Sequence, residues 1–302
     1  MNVTGAQELV LDGRRVFARR LGPGSGPLVV IEAALGSSSP EWWRLQEALA
    51  ASVDTLSYDR AGYGRSDAPR APRTGAQLAS ELAEVLDALG VHEPVVLVGH
   101  SLGGLLVRHF VARFPARVAG AVFVDPVSTQ EHRWKELPPA LVRRGGVDKG
   151  ASLGLVRRLG RWRVLPLLRR LVTRGPPHRA FATDAGLAEL LWADFLRREM
   201  HDAALGEYAH LGDAVPAGKL SAPVLLLTHD PEVVRAEIQR YGRLASADAA
   251  RVDEFWLSLM KEVLALSADA EHHVVRGADH FLHLTQPGQV ADELRRFVAR
   301  LR

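Results

Sequence analysis

One short segment places a serine where it could act as a nucleophile. The apolar, β-branched run Val95–Val98 leads into Gly-His-Ser-Leu-Gly at 99–103, and a helical pattern follows. This order predicts a strand, a sharp turn with Ser101 at its apex, and a helix. Such a turn exposes the hydroxyl, and only small residues such as Gly99 and Gly103 fit two positions before and after the serine. A serine held in this way suits attack on a carbonyl carbon once a base removes its proton.

The segments that must position this serine alternate between strand and helix patterns. Two stretches, Gln7–Leu11 and Arg15–Arg20, flank an Asp-Gly turn and predict a hairpin. Further strand patterns, several of them continuous apolar runs, alternate with helical periodicity. The strand patterns lie at 28–31, 53–58, 95–98 and 118–124, and the helical patterns at 41–51, 74–89 and 102–114. The alternation predicts an α/β fold with a mostly parallel central sheet and helices on both faces.

The alternation breaks after the strand pattern that ends at residue 124. From 127 to 219 the sequence shows helical patterns and loops without a convincing strand, which predicts an inserted helical cap. Strand and helix patterns then return at 223–227, 233–244, 246–266, 271–275 and 289–301. We therefore expect a core formed by residues 1–126 and 220–302 and a cap or lid formed by residues 127–219.

The cap is rich in arginine interleaved with leucine and valine. Three interpretations remain open: a solvated outer face of amphipathic helices, contact with an acidic substrate or an acyl-carrier partner, and loose association with a membrane surface. Trp162 and Trp192, with the aliphatic residues, suit either an apolar substrate pocket or packing inside the cap. We expect a small-molecule substrate in each case.

Composition limits the classes of protein to which this chain could belong. The 302 residues are 47% hydrophobic and 24% charged, as in ordinary globular proteins, and the small net charge of +3 does not by itself imply a polyanionic partner. The absence of cysteine excludes disulfides, thiolate metal sites and a cysteine nucleophile. The N-terminal residues lack a signal-peptide pattern, and no apolar run is long enough to span a bilayer. We expect a cytoplasmic protein without integral membrane insertion.

Other site chemistries find little support in the sequence. No Gly-rich dinucleotide fingerprint follows a strand, and no recognised nucleic-acid-binding module is present. The adjacent pair His272 and His273 lacks the spacing of metal ligands. We therefore expect no cofactor, no metal and no nucleic-acid partner.

Three motifs together resemble the α/β-hydrolase superfamily. They are Gly-His-Ser-Leu-Gly-Gly at 99–104, Tyr-Asp-Arg-Ala-Gly-Tyr-Gly-Arg-Ser at 58–66 and Gly-Ala-Asp-His-Phe at 277–281. They occur in the order typical of that family, with a helical cap inserted after the sixth strand. The resemblance covers nearly the whole chain and implies an α/β-hydrolase fold.

The resemblance also implies a nucleophile and a base. Ser101 stands at the family's nucleophile position, and His280 lies in the loop after the last strand, where the family places its histidine. An imidazole titrates near neutral pH, so it can take the serine proton and later return it. His100 precedes the nucleophile and is expected to point away from its hydroxyl. The other histidines have no motif around them.

The acid that orients the histidine has more than one candidate. Asp125 ends the sixth strand, Asp230 follows the seventh, and Glu232 lies two residues further on. All three fit the family's chain order of serine, acid and histidine. Most family members take the acid from after the seventh strand and some from after the sixth. We rank Asp125 before Asp230 and Glu232; each aspartate could instead cap the following turn.

Two backbone amides are expected to form an oxyanion hole. Leu102 would supply the first, from the start of the helix, and Leu35 the second, from the loop after the third strand. Here Ala33 and Ala34 stand where the family usually has His-Gly. Backbone amides do not depend on side-chain identity, although Ala34 lacks the freedom of glycine at positive φ.

These residues predict a serine hydrolase. It would cleave an ester, lactone or thioester of a small apolar substrate through an acyl-enzyme at Ser101. A serine at the turn argues against branches with an aspartate nucleophile, such as epoxide hydrolases. Alternatives on the same fold are a cofactor-free carbon–carbon bond hydrolase, a haloperoxidase-like enzyme, and an acyl transferase or cyclase. The alternative from another class is a ligand-binding protein that has lost turnover.

Overall fold

The fold is built on a central sheet, seen in a computed structural model that describes residues 3–70, 72–146, 150–161, 164–174, 178–215 and 218–301. Trp162 lies outside these ranges. Eight strands are found among the described residues: β1 (Ala6–Leu11), β2 (Arg14–Leu21), β3 (Val29–Glu32), β4 (Thr55–Tyr58), β5 (Val95–His100), β6 (Val118–Val124), β7 (Val224–Thr228) and β8 (Ala270–Val274).

The strand order is β1-β2-β4-β3-β5-β6-β7-β8. The strand β2 runs antiparallel to both of its neighbours, and the pairs from β4 to β8 are parallel. The predicted hairpin and the mostly parallel sheet are therefore confirmed. Because β5, β6, β7 and β8 are parallel, the loops that follow them lie at one edge of the sheet. That edge brings together segments far apart in sequence.

Helices connect the strands and cover the sheet. They are α1 (Trp43–Leu49), α2 (Gly75–Ala88), α3 (Leu102–Arg113), α4 (Pro139–Arg144), α5 (Gly150–Arg161), α6 (Arg169–Val172), α7 (Ala185–Phe195), α8 (Arg198–Ala209), α9 (Pro231–Gly242), α10 (Ser246–Met260), α11 (Leu282–Thr285) and α12 (Pro287–Ala299). Short 3-10 helices cover Ser39–Trp42, Pro115–Arg117, Glu131–Glu136, Leu165–Leu168, His178–Phe181 and Lys261–Leu266.

Both faces of the sheet are buried. Successive side chains of a strand point to opposite faces, so β5 contributes to two separate apolar clusters. Leu97 packs in the cluster that contains Phe110 of α3, and Val98 packs in the cluster that contains Leu294 of α12. A strand covered on both sides must be apolar throughout, which explains the continuous run that precedes the serine.

Between β6 and β7 the described residues form only helices and loops. The first part of this region packs on α9 and α10, where Trp134 lies in one apolar cluster with Val252. A later part, α7, packs on the core through Leu191, which shares a cluster with Trp43. The helices α9 and α10 lie in the segment predicted as core, yet they pack on the start of the predicted cap.

Several arginines of the predicted cap are exposed to solvent. Arg158, Arg170 and Arg174 are exposed, and Arg157 pairs with Asp202 through side chains that are 52% and 39% exposed. Such pairs are screened by water and contribute little stability. Contact with an acyl carrier or an acidic substrate remains a prediction. Among the described helices, none has both the length and the apolar composition that crossing a bilayer requires.

Candidate active site

Ser101 occupies a strained turn between β5 and α3. Its φ is 53° and its ψ is −119°, a conformation that a residue with a side chain rarely adopts. Two backbone hydrogen bonds hold the turn. The Ser101 amide donates to the Val124 carbonyl (3.1 Å), and the Val127 amide donates to the Ser101 carbonyl (2.9 Å). The half-buried serine thus stands at the carboxyl edge of the sheet, on a backbone fixed from both sides.

The two glycines around the serine are required by close backbone contacts. A Cβ atom at Gly103 would lie 2.1 Å from the Glu32 carbonyl oxygen, and one at Gly99 would lie 2.6 Å from the Gly103 carbonyl oxygen. Neither obstacle is the end of a flexible side chain, so neither could move cheaply. The tight turn and the approach of α3 to the end of β3 explain the spacing of the motif.

The structure brings Asp125 and His280 together. The His280 Nδ1–H donates to Asp125 Oδ2 at 2.7 Å, because an ionised carboxylate can only accept. The Asp125 side chain is fully buried, and that of His280 is 27% exposed. Burial alone would raise the pKa of Asp125. The charge of His229 and hydrogen bonds from His229 and His280 outweigh burial and lower it.

Asp230 has a different partner set, although it was also a predicted acid. Its Oδ1 accepts from the Glu232 amide (3.0 Å) and its Oδ2 from the Gly277 amide (2.9 Å). The Gly277 bond is the largest cause of its lowered pKa. Both oxygens are thus engaged by backbone, and Asp230 caps the N-terminus of α9. Glu232 is exposed in the first turn of that helix. The geometry therefore gives Asp230 a capping role, as the alternative in the sequence analysis allowed.

A second histidine reaches Asp125, and sequence reasoning missed it. His229 approaches Asp125 Oδ1 through both its backbone amide (3.0 Å) and its ring Nδ1 (2.7 Å). The residue directly precedes Asp230 in the loop after β7, and no motif surrounds it. The only signal in the sequence was its place at the carboxyl end of a central parallel strand, where site residues gather.

His100 supports the loop that carries His280. Burial, with a smaller contribution from the His280 charge, lowers the pKa of His100 to about 3, so the ring is neutral at pH 7. Its Nε2 lies 2.9 Å from the His280 carbonyl oxygen and donates to it. The two rings also pack with their centroids 4.8 Å apart. His100 therefore holds the backbone of His280 in place.

Arg60 determines the conformation of the loop that ends in Leu35. Its guanidinium donates to the carbonyl oxygens of Ala33 (2.7 Å) and Ala34 (3.0 Å). In a trans peptide the carbonyl and the following N–H point in opposite directions, so the Leu35 N–H points away from Arg60. The Leu102 N–H, at the start of α3, has no acceptor within its own helix. The two hydrogen bonds from Arg60 thus hold the backbone at Ala33 and Ala34, where the sequence lacks the family's usual His-Gly pair.

A carboxylate on α8 accepts hydrogen bonds from the same Arg60 guanidinium. Glu207 of α8 accepts from Arg60 Nε (3.1 Å) and Nη2 (2.9 Å), from Arg73 Nη2 (2.8 Å) and from the Tyr63 hydroxyl (2.8 Å). The side chains of Arg60 and Glu207 are 3% and 1% exposed. Burial would raise the pKa of Glu207, but the charges of Arg60 and Arg73 outweigh it and lower the pKa. Helix α8, in the predicted cap, is therefore connected to the loop at 33–35 through buried charges.

Aromatic side chains flank His280. The ring of Trp256, on α10, lies 5.4 Å from that of His280, and the ring of Phe281 lies 5.3 Å from it. Trp256 is half-buried. These apolar surfaces reduce the access of water to the imidazole and offer contact area to an apolar group.

His272 and His273 lie on the edge strand β8 and contact neighbouring elements of the core. His272 Nε2 lies 2.9 Å from Thr228 Oγ1, and His273 Nδ1 lies 2.9 Å from Glu293 Oε2. Within the part of the chain that the structure describes, no group of three or more metal-ligating side chains is gathered.

The sequence is similar to a family model and to several curated proteins. A family model described as alpha/beta hydrolase fold matches residues 26–233. An AB hydrolase superfamily protein of Gibberella zeae is 26% identical over 288 residues, which cover 91% of this chain and 87% of that protein. Other curated relatives match over shorter stretches: the match spans 18% of the efuK protein of Hormonema carpetanum and 46% of YqjL of Bacillus subtilis.

Solved structures share the architecture over almost the full chain. The esterase RhEst1 from Rhodococcus sp. ECU1013 is 25% identical with a TM-score of 0.64, covering 99% of this chain and 100% of that one. The enol-lactonase from Burkholderia xenovorans LB400 is 17% identical with a TM-score of 0.63, covering 97% and 100%. At 17% identity, the second likeness concerns the fold alone.

Proposed function

This chain belongs to the alpha/beta hydrolase family, and we propose that it is a serine hydrolase acting through an acyl-enzyme at Ser101. Its substrate would be an ester, lactone or thioester of a small apolar molecule. The observation that carries the proposal is the 2.7 Å hydrogen bond from His280 to Asp125, at the sheet edge where Ser101 stands on its strained turn. A nucleophile, a base and an orienting acid are the three groups that acyl transfer requires.

Acylation begins with attack of Ser101 Oγ on the carbonyl carbon. The serine proton passes to His280 Nε2, and Asp125 stabilises the imidazolium that forms. The carbonyl oxygen becomes an oxyanion, which accepts from the N–H groups of Leu35 and Leu102. The tetrahedral intermediate then collapses: the bond to the leaving alcohol or thiol breaks, and that group takes the proton from His280.

Deacylation repeats these steps with water as the nucleophile. His280 accepts a proton from water while the hydroxyl oxygen attacks the acyl carbon of the ester at Ser101. Collapse of the second intermediate releases the acid and returns the proton to Ser101. Asp125 and the two amides act as in the first half.

The apolar character of the substrate rests on the surroundings of the base. Trp256 and Phe281 flank His280, so an acyl or alcohol group near the imidazole would meet aromatic surface. The structural relatives include an esterase at 25% identity, which fits the proposed bond type. Arg158, Arg170 and Arg174 of the predicted cap are exposed, so we assign them no role in holding the reacting carbonyl.

The direct test is intact mass after treatment with a fluorophosphonate, which labels activated serines. We expect one adduct on the wild-type chain and none on Ser101→Ala. Ser258, an exposed serine of α10, gives a matched control, because Ser258→Ala should be labelled like the wild type. Labelling of Ser101→Ala, or no labelling of the wild type, would contradict the proposal.

A screen of esters, lactones and thioesters by chain length would follow. We expect turnover to increase from acid to neutral pH, because a protonated imidazole cannot accept the serine proton. A flat profile over that interval would argue against His280 as the base. Product formation from an added alcohol acceptor, without hydrolysis, would favour the acyl transferase alternative.

A further inference from the structure

His229 lies between two buried carboxylates. Its Nδ1 is 2.7 Å from Asp125 Oδ1, and its Nε2 is 2.8 Å from Asp253 Oδ1. The side chains of all three residues are 0% exposed. The other oxygen of Asp253 accepts from Arg235 Nε at 2.7 Å. The Arg235 side chain, on α9, is 32% exposed. A chain of alternating charges therefore leads from His280 through Asp125 to the surface.

The hydrogen-bond pattern determines the protonation state of His229. An ionised carboxylate can only accept, so each ring nitrogen that faces one must carry a proton. Both ring nitrogens of His229 face carboxylates, which makes the ring an imidazolium. Burial alone would lower the pKa of His229, but the charge of Asp125 and the hydrogen bonds to Asp125 and Asp253 raise it to about 10. The ring is thus a buried cation at neutral pH.

We propose that His229 is a positioning residue for the catalytic acid: a permanent imidazolium that orients Asp125 and shares its negative charge with His280. This inference rests on the proposed function. Two donors from His229 hold Oδ1, so Oδ2 is the oxygen presented to His280. Asp253 is the partner that keeps His229 charged, and Arg235 balances Asp253.

The charge of His229 has a consequence for the base. A cation on the far side of Asp125 opposes the protonation of His280, because like charges repel across a buried carboxylate. Removing the charge of His229 should therefore favour the protonated form of His280. The other ionisable groups that bear on His229 are Asp230 and Glu237. Asp230 is engaged by backbone amides at the start of α9.

The first test is spectroscopic and does not require turnover. In protein labelled with ¹⁵N-histidine, the His229 ring, assigned by its loss in His229→Asn, should show protons on both nitrogens from about pH 5.5 to 8.5. A ring with one proton in that interval would overturn the inference. The serine adduct at Ser101 is a separate measurement, so failure of the inference and failure of the proposed function can be told apart.

The second test is the pH dependence of kcat/KM in two variants. His229→Asn keeps a donor near the position of Nδ1 but removes the charge, and Asp253→Asn keeps the shape of the partner while removing the charge that holds His229 protonated. The acidic limb is the part of the profile where kcat/KM rises with pH. We expect its midpoint to move to higher pH by about one unit in each variant. The plateau at higher pH should fall less than in Asp125→Asn.

A double variant and a control separate this role from general damage. If Asp253 acts through His229, Asp253→Asn should shift the limb no further in a His229→Asn background. The control is His272→Gln, which alters a histidine bonded to the neighbouring Thr228 of β7 and should leave the limb in place. A lower plateau with an unmoved limb in both single variants would show that His229 is only structural and would overturn the proposal.

Discussion

Replacing Glu207 with glutamine tests the connection between α8 and the loop proposed to carry the Leu35 oxyanion donor. The carboxylate accepts from Arg60, Arg73 and Tyr63, and it is buried. Glutamine retains the shape but removes the charge that Arg60 and Arg73 share, so Arg60 keeps only Glu32 (3.3 Å) and Arg73 only Glu81 (2.9 Å) as carboxylate partners. Breaking a buried ion pair by removing one partner costs about 3–5 kcal/mol. Because each arginine keeps one carboxylate, we expect the free energy of unfolding of Glu207→Gln to fall by up to that amount.

The same change should slow the chemical step in protein that remains folded. Arg60 holds the carbonyls of Ala33 and Ala34, so a displaced guanidinium loosens the Leu35 amide. Complete removal of one oxyanion donor costs about 10²–10³ in kcat, and a loosened donor should cost roughly 10-fold or more within that limit. Urea unfolding and steady-state ester hydrolysis, measured on the same preparation, report the two effects.

The control lies on the same helix. Asp202 of α8 pairs with Arg157 at the surface, so Asp202→Asn should change stability by no more than about 0.5 kcal/mol and leave kcat unchanged. Because the folded-state pKa of Glu207 is lowered, its contribution is present at neutral pH and is lost as pH falls. The wild type and Glu207→Gln should therefore converge in stability in acid. Unchanged stability and kcat in Glu207→Gln would refute the reasoning, as would lost stability with an intact kcat.

Three further outcomes are expected. Asp125→Asn should lower kcat by about 10⁴, whereas Asp230→Asn should mainly cost about 1 kcal/mol of stability as a lost helix cap; the reverse ranking in ester kinetics would move the acid to β7. Gly103→Ala should abolish activity and lower the melting temperature, because its Cβ would meet the Glu32 carbonyl at 2.1 Å; a normal melting curve with full turnover would contradict the required contact. Burial raises the pKa of Glu41 to about 8, so this residue makes the folded state lose stability as pH rises from about 5 to 8, and Glu41→Gln should remove that slope in denaturation series.

Much of the core could be predicted from local pattern. The apolar run of β5 and the Gly-His-Ser-Leu-Gly motif are local features of the sequence, so the strand, turn and helix lie where the sequence places them. Boundaries differ where backbone geometry decides. The helical pattern at 41–51 begins as a 3-10 turn at Ser39–Trp42 and becomes α1 only at Trp43.

The supporting contacts could not be predicted, because they join residues that are distant in sequence. Arg60 and Glu207 are 147 positions apart, and His229 and Asp125 are 104 apart. Nothing in the spacing of such residues indicates that they meet, since the cap folds back through its own helices. Asp230 shows the opposite difficulty. It stands near the position where a triad acid is usual, but the proline that follows starts a helix whose Glu232 amide donates to one carboxylate oxygen, and the Gly277 amide donates to the other.

The buried carboxylate on α8 also limits how freely the predicted cap could be replaced by the cap of a related enzyme. Caps are attractive units for exchange between related enzymes, because a new cap can bring a new pocket to an old core. Here a transplanted cap would leave Arg60 and Arg73 facing an empty or apolar surface beneath it. A chimera on this core should therefore retain α8, or carry an acid at the place of Glu207, if the grafted protein is to fold and to keep its oxyanion loop.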